Sequence, residues 1–480
     1  MRFVLLVLAA TLACAPPPEK AASPGKPNVV ILLADDLGYN DVGFHGGNIS
    51  TPNIDRIAAE GAKLERYYVH PVCSPTRAGL MTGRYPIRYG AMRAVFPPWR
   101  SGGLDPSETT IADALARAGY EHRGVFGKWH LGHSNVKYHP LRRGFTEFLG
   151  HYNGAIDYFT HEREGVLDWH TNYETNRDEG YSTDLIADAA VDFVERHADD
   201  ATPFLLYVPF NAPHSPFQAK EEDLPAYSDL APVEGEWPDE GERRVQNRRI
   251  LGAMVHSMDQ GVGRILDAID EHGLADKTFV LFSSDNGGVA GIGENAPLRG
   301  AKASAFEGGI RVAAAARWPG RIEPGSSVDS PLANVDVLPT LLEIAEVEHQ
   351  GNPLDGHSML RALAGETTPD RELYNYIGQK GPDEEQISIV TNDWKLLVVG
   401  PAVTDDSADD SLRTTYLFQI SSDPNETRNV AEEHPERVAE FLGKLKEFRA
   451  LQPADAVPPY DQGRDDPGFT PPHDWKMPGE

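Results

Sequence analysis

Cys73-Ser74-Pro75-Thr76-Arg77 contains one of only two cysteines in 480 residues. Ser74 can cap a helix and Pro75 fits a first turn, so the spacing predicts a helix with Cys73 at its positive end. Arg77, one turn on, points back toward the thiol. On its own this reads as a thiolate nucleophile with a lowered pKa. A second group of residues argues against sulfur as the working atom. Asp35-Asp36 and Asp285-Asn286 each close a short apolar run. Each pair has a plainer use, as a helix cap or a glycine-supported turn. Arriving together, these oxygen donors would repel one another unless a cation lay between them. They suit a hard ion, Ca²⁺ or Mg²⁺, and a soft thiolate matches such an ion poorly.

Cations and imidazoles lie at comparable positions. "GKWH" carries Lys128 and His130, two apart and so on one side of an extended chain. "NAPH" carries His214, and "PLRGAKASAFEGG" carries Lys302. Singly, each is an ordinary surface or hydrogen-bonded group. Gathered beside a metal, they would neutralise a tetrahedral oxyanion and protonate a leaving group.

The elements that must position these groups follow from the apolar pattern. "NVVILLADD", "FLLYVPFNAPH" and "TFVLFSSDNGG" are short continuous apolar runs, the pattern of buried parallel strands, and "HRGVFGKWHLG" is a weaker fourth. Helical stretches lie between them: "TTIADALARAGY", "TDLIADAAVDFVERH" and "RRILGAMVHSMDQGVGRILDAIDEHG". The expected fold class is α/β, a large mostly parallel sheet sandwiched by helices, with ligands beyond the carboxyl ends of the strands. From Pro369 the rhythm changes. "ELYNYIG", "QISIVTNDWKLLVVG" and "TTYLFQI" predict a smaller antiparallel sheet with a hairpin at Asn392-Asp393. A helix follows whose stripe is Val438, Phe441, Leu442, Leu445 and Phe448. The expected divisions are a leader at 1–14, a Pro-rich linker at 15–27, a catalytic domain at 28–369, an α+β subdomain at 370–452 and an irregular surface tail at 453–480. "EEDLPAYSDLAPVEGEWPDEGERR" is expected to be a long exposed loop.

A net charge of −29 excludes a basic nucleic-acid footprint, so an anionic substrate must be held by a local basic pocket. "MRFVLLVLAATLAC" reads as a secretory leader. Its Leu12-Ala13-Cys14 ending resembles a bacterial lipoprotein signal that would put a lipid anchor on Cys14. The expected location is extracytoplasmic: periplasmic, secreted or membrane-anchored. The two cysteines cannot staple the fold, so stability rests on the core and a metal. Asn48-Ile49-Ser50 and Asn425-Glu426-Thr427 match a glycosylation pattern and are read as coincidence.

Cys73-Ser74-Pro75-Thr76-Arg77 matches the C-x-P-x-R signature of type I sulfatases of the alkaline phosphatase superfamily, in which the cysteine is oxidised to formylglycine. "ADD", "GKWHLG", "SSDNGG" and "RGAKAS…FEGG" follow in the family's order. The chain from Asn28 onward is similar to the arylsulfatase B type, through "TGRYPIRYG", "RRGF", "DYFTHER" and "DPNETRN". The resemblance implies a sulfuric ester hydrolase acting on a sulfated carbohydrate. Asp35, Asp36, Asp285, Asn286 and the residue made from Cys73 would bind Ca²⁺. Arg77 and Lys128 would hold that residue, and Lys128, His214 and Lys302 would grip the sulfate. The resemblance also implies a hydrated aldehyde whose hydroxyl attacks sulfur, with Asp285 taking its proton. Lys302 or His214 would protonate the sugar oxygen, and His130 would help to expel the sulfate. A formylglycine-generating enzyme is the implied maturation partner.

Two rival readings are a phosphonate or phosphate monoester hydrolase of the same superfamily and a non-catalytic glycan-binding surface protein. The absence of a His-rich second metal set counts against the first, and the full set of catalytic positions against the second. Arg93, Trp99, Arg100, Tyr158, His161 and Trp169 are candidate pocket walls, with His161 the first choice as a substrate contact.

Overall fold

The computed structural model describes residues 25–234, 241–405, 407–466 and 468–476. The expected leader, the Cys14 anchor and most of the 15–27 linker lie outside the described residues. No helix among the described residues is long and apolar enough to cross a membrane.

Four parallel strands form the centre of a ten-stranded sheet: β1 (Asn28–Ala34), β2 (His122–Lys128), β3 (Phe204–Pro209) and β4 (Thr278–Ser284), in the spatial order β4-β1-β3-β2. They are the four apolar runs of the sequence. Strand β1 is buried on both faces, and its side chains alternate between two cores. Val29, Ile31 and Leu33 pack with Leu205, Tyr207, Phe279 and Leu281 beneath α1 (Cys73–Thr82). Val30 and Leu32 pack with Leu206, Val208, Val280 and Phe282 beneath α2 (Ser182–His197) and α3 (Gly241–Glu271). The result is a sheet covered by helices on both faces. Beyond β4 the sheet turns antiparallel through Ala314–Arg317, an alanine-rich strand with little intrinsic β preference.

The registers bring the functional ends level. Ala34 lies beside Ser284, so Asp35 and Asp285 leave neighbouring strands together. The Asp285 amide donates to the Ala34 carbonyl at 3.0 Å. In β2, Gly127 has φ +128°, and a Cβ there would stand 2.0 Å from the Pro209 carbonyl oxygen of β3. Only glycine lets the strand carrying Lys128 lie this close to its neighbour.

The second sheet is antiparallel, in the order β5 (Leu373–Ile377), β6 (Glu385–Val390), β7 (Lys395–Gly400), β8 (Thr414–Phe418). The expected hairpin joins β6 to β7. Helix α4 (Pro435–Arg449) buries Phe441, Leu445 and Phe448 in the same core as Tyr68, Tyr85, Ile87 and Ile310 from the larger part. The described part of the acidic stretch, 221–234, is mostly exposed as expected, with Tyr227 and Leu230 buried in the core beneath α3; residues 235–240 lie outside the described residues, and from Gly241 the chain is already in α3. The tail is irregular but strapped down, through Val457 to Gly90 (2.7 Å), Tyr460 to Gln379 (2.7 Å), Thr470 to Pro98 (2.8 Å) and Trp475 to Tyr173 (2.9 Å).

Candidate active site

Cys73 is the first residue of α1, preceded by the extended residue Val72. Ser74 does not cap the helix. Its hydroxyl instead donates to the His130 carbonyl at 2.9 Å and accepts from the Phe96 amide at 3.1 Å, locking the helix start to the loop after β2. Cys73 Sγ lies 3.6 Å from Asp35 Oδ1 and 4.0 Å from Asp36 Oδ1. The carboxyl end of the sheet, the helix start and the post-β2 loop therefore meet at one place.

Arg77 is wholly buried and ties three segments together. Its Nε donates to Asp285 Oδ2 at 3.0 Å and its Nη1 to the Lys128 carbonyl at 2.7 Å, while Nη2 sits 3.7 Å from Asp35 Oδ2. Lys128 Nζ reaches Asp35 Oδ2 at 2.5 Å, and Lys302 Nζ reaches Asp36 Oδ2 at 2.6 Å. His214 Nε2 lies 3.5 Å from that same Asp36 oxygen, and its Nδ1 faces the Ser215 carbonyl at 2.6 Å. Asp36 adopts φ +65°, which turns its carboxylate toward Asn286, whose amide donates to Asp36 Oδ1 at 2.8 Å.

This crowding reshapes proton affinities. Burial, then the Asp285 charge, push Asp35 up to about 7 against the pull of Lys128 and Arg77. Burial also works against ionisation of Asp36, but Lys302, His214 and Lys128 outweigh it and hold that carboxyl well below the usual range. Burial and Lys302 keep His214 neutral, and burial with Lys128 and Arg77 does the same for His130. Burial and the Asp285 charge push the Cys73 thiol far up. The expectation of a depressed thiol pKa is thus reversed, because burial first, and the Asp285 charge after it, outweigh the helix end. A thiol held protonated is a poor nucleophile.

The oxygen donors fit a hard cation. Ligand atoms of Asp35, Asp36, Cys73 and His214 all lie within 4.8 Å of one another. Asn286 Oδ1 is buried with no hydrogen-bond partner, the kind of orphan a metal satisfies. Above this cluster opens a small cavity of about 140 Å³, lined by Cys73, His130, Arg163, His214, Lys302 and Tyr460 among others.

Of the candidate walls, none of the six lines this cavity. His161 is 1% exposed, stacked on Trp169 with centroids 4.6 Å apart, and its Nε2 faces the Gly180 carbonyl at 3.1 Å. It is a packing residue, and Arg163, two positions on, takes the place expected for it. The reason is local. His161 precedes the tight hairpin of residues 162–163 and 166–167 and adopts φ +58°, which breaks the alternation that would otherwise put residues 161 and 163 on one face. Tyr158 lies beneath the site, its hydroxyl donating to the Asn211 and His214 carbonyls at 2.6 and 2.8 Å. Trp99 and Arg100 bind the tail, and Arg93 reaches the Tyr376 hydroxyl at 3.4 Å. Arg163, Gln379 and Tyr460 were not singled out from the sequence. Arg163 stands in the quoted "DYFTHER" stretch, whereas no local pattern marks Tyr460, because the tail reaches the site only through the fold.

The sulfatase family model matches residues 27–347, and a model described as "N-sulphoglucosamine sulphohydrolase, C-terminal" matches residues 301–450. Human arylsulfatase A is 33% identical, with the alignment covering 94% of this chain and 90% of that one. Mouse N-acetylgalactosamine-6-sulfatase is 31% identical over 85% of this chain and 82% of its own length. Among solved structures, Ps i-CgsB superposes with a TM-score of 0.79 at 29% identity, covering 91% of this chain and 95% of that one. The match of one family model to most of the chain and the near full-length likeness to arylsulfatases agree with the strand-end chemistry, and this chain belongs to the sulfatase family, as a hydrolase of sulfuric esters.

Proposed function

We propose that this sulfatase removes sulfate from a sulfated carbohydrate, with Ca²⁺ held by Asp35, Asp36, Asp285 and Asn286 and with Cys73 matured to formylglycine. The observation that carries the reading is the convergence of Cys73, Lys302 and His214 on one small cavity above the carboxylate cluster. The carbohydrate class is supported by relatives. One is named for N-acetylgalactosamine 6-sulfate, and the Ps i-CgsB structure has also been solved in complex with k-i-k-neocarrahexaose. A bound Ca²⁺ would supply fixed positive charge for the sulfate oxygens, and the hydrated aldehyde of Cys73 would supply an oxygen nucleophile in place of a thiol that burial holds protonated.

The chain's own residues do the rest. Arg77, immobilised by Asp285 and the Lys128 carbonyl, fixes the helix start and so the Cys73 Cβ. Lys128 Nζ and Lys302 Nζ rest on Asp35 and Asp36, and turning toward a sulfate would let them take up its negative charge. Lys302 lines the cavity and can deliver a proton to the departing sugar oxygen. His130 is neutral and its Nδ1 is buried without a partner, so it can accept a proton at that atom. Tyr460, Val95 and the Pro97-Pro98 pair restrict water around the cavity.

The test is sulfate release from a panel of sulfated oligosaccharides and aryl sulfates, with aryl phosphates as control, by enzyme produced alongside a formylglycine-generating enzyme. Sulfate release that chelation abolishes and Ca²⁺ restores is expected. Preference for the phosphates, or turnover indifferent to chelation, would contradict the reading.

A further inference from the structure

The cavity over Cys73, at about 140 Å³, is small against the roughly 300–1,000 Å³ typical of small-molecule sites. It can enclose a sulfate and the near part of its sugar, so the rest of a polymeric substrate must lie elsewhere. A second cleft, about 660 Å³, shares a wall with it. The wall is one chain thick on each side. From residues 95–100, Val95, Pro97 and Pro98 face the catalytic cavity, while Phe96, Trp99 and Arg100 face the cleft. From the tail, Tyr460 faces the cavity, while Val457 and Gln462 face the cleft. Trp99 clamps the two layers: its ring meets Tyr460 edge-on at 5.1 Å, and its Nε1 donates to the Tyr460 carbonyl at 3.1 Å.

We propose that this cleft is a binding site for the sugar units that continue from the one being desulfated. The inference rests on the carbohydrate reading above. The lining combines aromatic surface with a few polar groups, the mixture that packs sugar faces and binds hydroxyls. Tyr138 is half-buried, with Lys137 Nζ 4.9 Å from its ring centre. Lys137 is exposed and offers a cation to an anionic polymer on a protein of net charge −29. Asp105 and Asp455 also line the cleft, which favours sugar hydroxyls over densely placed sulfates. Arg100 is committed to the tail, its guanidinium donating to the carbonyls of Pro459, Tyr460 and Gln462, so it builds the floor and is not free to bind a ligand.

Gly102 provides a direct probe. A Cβ there would meet Phe96 at 3.7 Å, an ordinary contact, and its backbone is outside the left-handed region. Gly102→Trp would therefore project a ring into the cleft without backbone strain, and Lys137→Ala removes an exposed cation. The measurement is kcat/KM for 4-nitrophenyl sulfate and for disaccharides, tetrasaccharides and hexasaccharides from ι-carrageenan and chondroitin 6-sulfate. In the wild type kcat/KM should rise with length. In both variants the hexasaccharide-to-disaccharide ratio should fall, by about tenfold for Gly102→Trp, the scale of one or two lost contacts. A wild-type enzyme that releases sulfate from the oligosaccharides with the same length ratio as both variants overturns the cleft proposal alone. A wild-type enzyme that turns over the aryl sulfate and no oligosaccharide overturns the carbohydrate reading, and the cleft with it.

Discussion

At the residue scale the site is a balance of buried charge. Asp35, Asp36 and Asp285 face Arg77, Lys128 and Lys302, and each lysine is within 2.6 Å of a carboxylate oxygen. A lysine placed to neutralise developing charge acts chiefly on the transition state. Lys302→Ala should therefore lower kcat by about 100- to 1,000-fold, with the melting temperature in Ca²⁺ little changed. Unchanged turnover with a lowered melting temperature would make Lys302 structural. His161 and Arg163 give a paired prediction. His161→Ala removes a ring stack and a buried hydrogen bond, so it should cost about 1–3 kcal/mol of stability and leave KM alone. Arg163→Ala should raise KM for sulfated substrates, because Arg163 lines the cavity. Thermal melts and steady-state kinetics on both variants check the pair, and the reverse pattern would restore His161 as a substrate contact.

At the element scale, much of the site is legible from strand ends. The apolar runs ending in Asp35 and Asp285 fix two neighbouring parallel strands, and the rule of carboxyl-end ligands does the rest. What the sequence hides is long-range. Ser74 looks like a helix cap, yet its hydroxyl is used by His130 and Phe96, which a local pattern cannot reveal. Ala314–Arg317 is a central strand without strand-like residues, held by its neighbours. The link between the two sheets is hidden too. Lys395 of β7 is wholly buried between Glu307 (3.0 Å) and Glu426 (2.8 Å), and Glu307 follows the Lys302 loop. Burial pushes Glu426 from 4.5 up to about 7, against Lys395 and with Glu307. A carboxyl raised on folding contributes stability below its unfolded pKa and loses it as pH rises through the folded one. The wild type should therefore lose part of its stability between about pH 4.5 and 7, and Glu426→Gln should flatten that slope. Melting curves across that range test this, and parallel slopes for the two proteins would mean Glu426 is ionised throughout.

At the scale of the whole molecule, the small sheet and tail pack against the larger part and reach the cavity over Cys73. The core under α4 takes Tyr68, Tyr85 and Ile310 from the large part, and Tyr460 of the tail lines the cavity that Cys73 also lines. An irregular tail was legible in its Pro and Gly content, but its route across the site was not, because its anchors are backbone bonds to distant residues. The central claim concerns the oxidation of the buried Cys73 at the start of α1. It is tested most directly by mass spectrometry of peptide 67–77 from preparations that differ in maturation, set against sulfate release. The account predicts activity in proportion to the fraction of Cys73 converted from CH₂SH to an aldehyde, and none in Cys73→Ser. Full sulfatase activity in a preparation whose Cys73 is entirely thiol would contradict it.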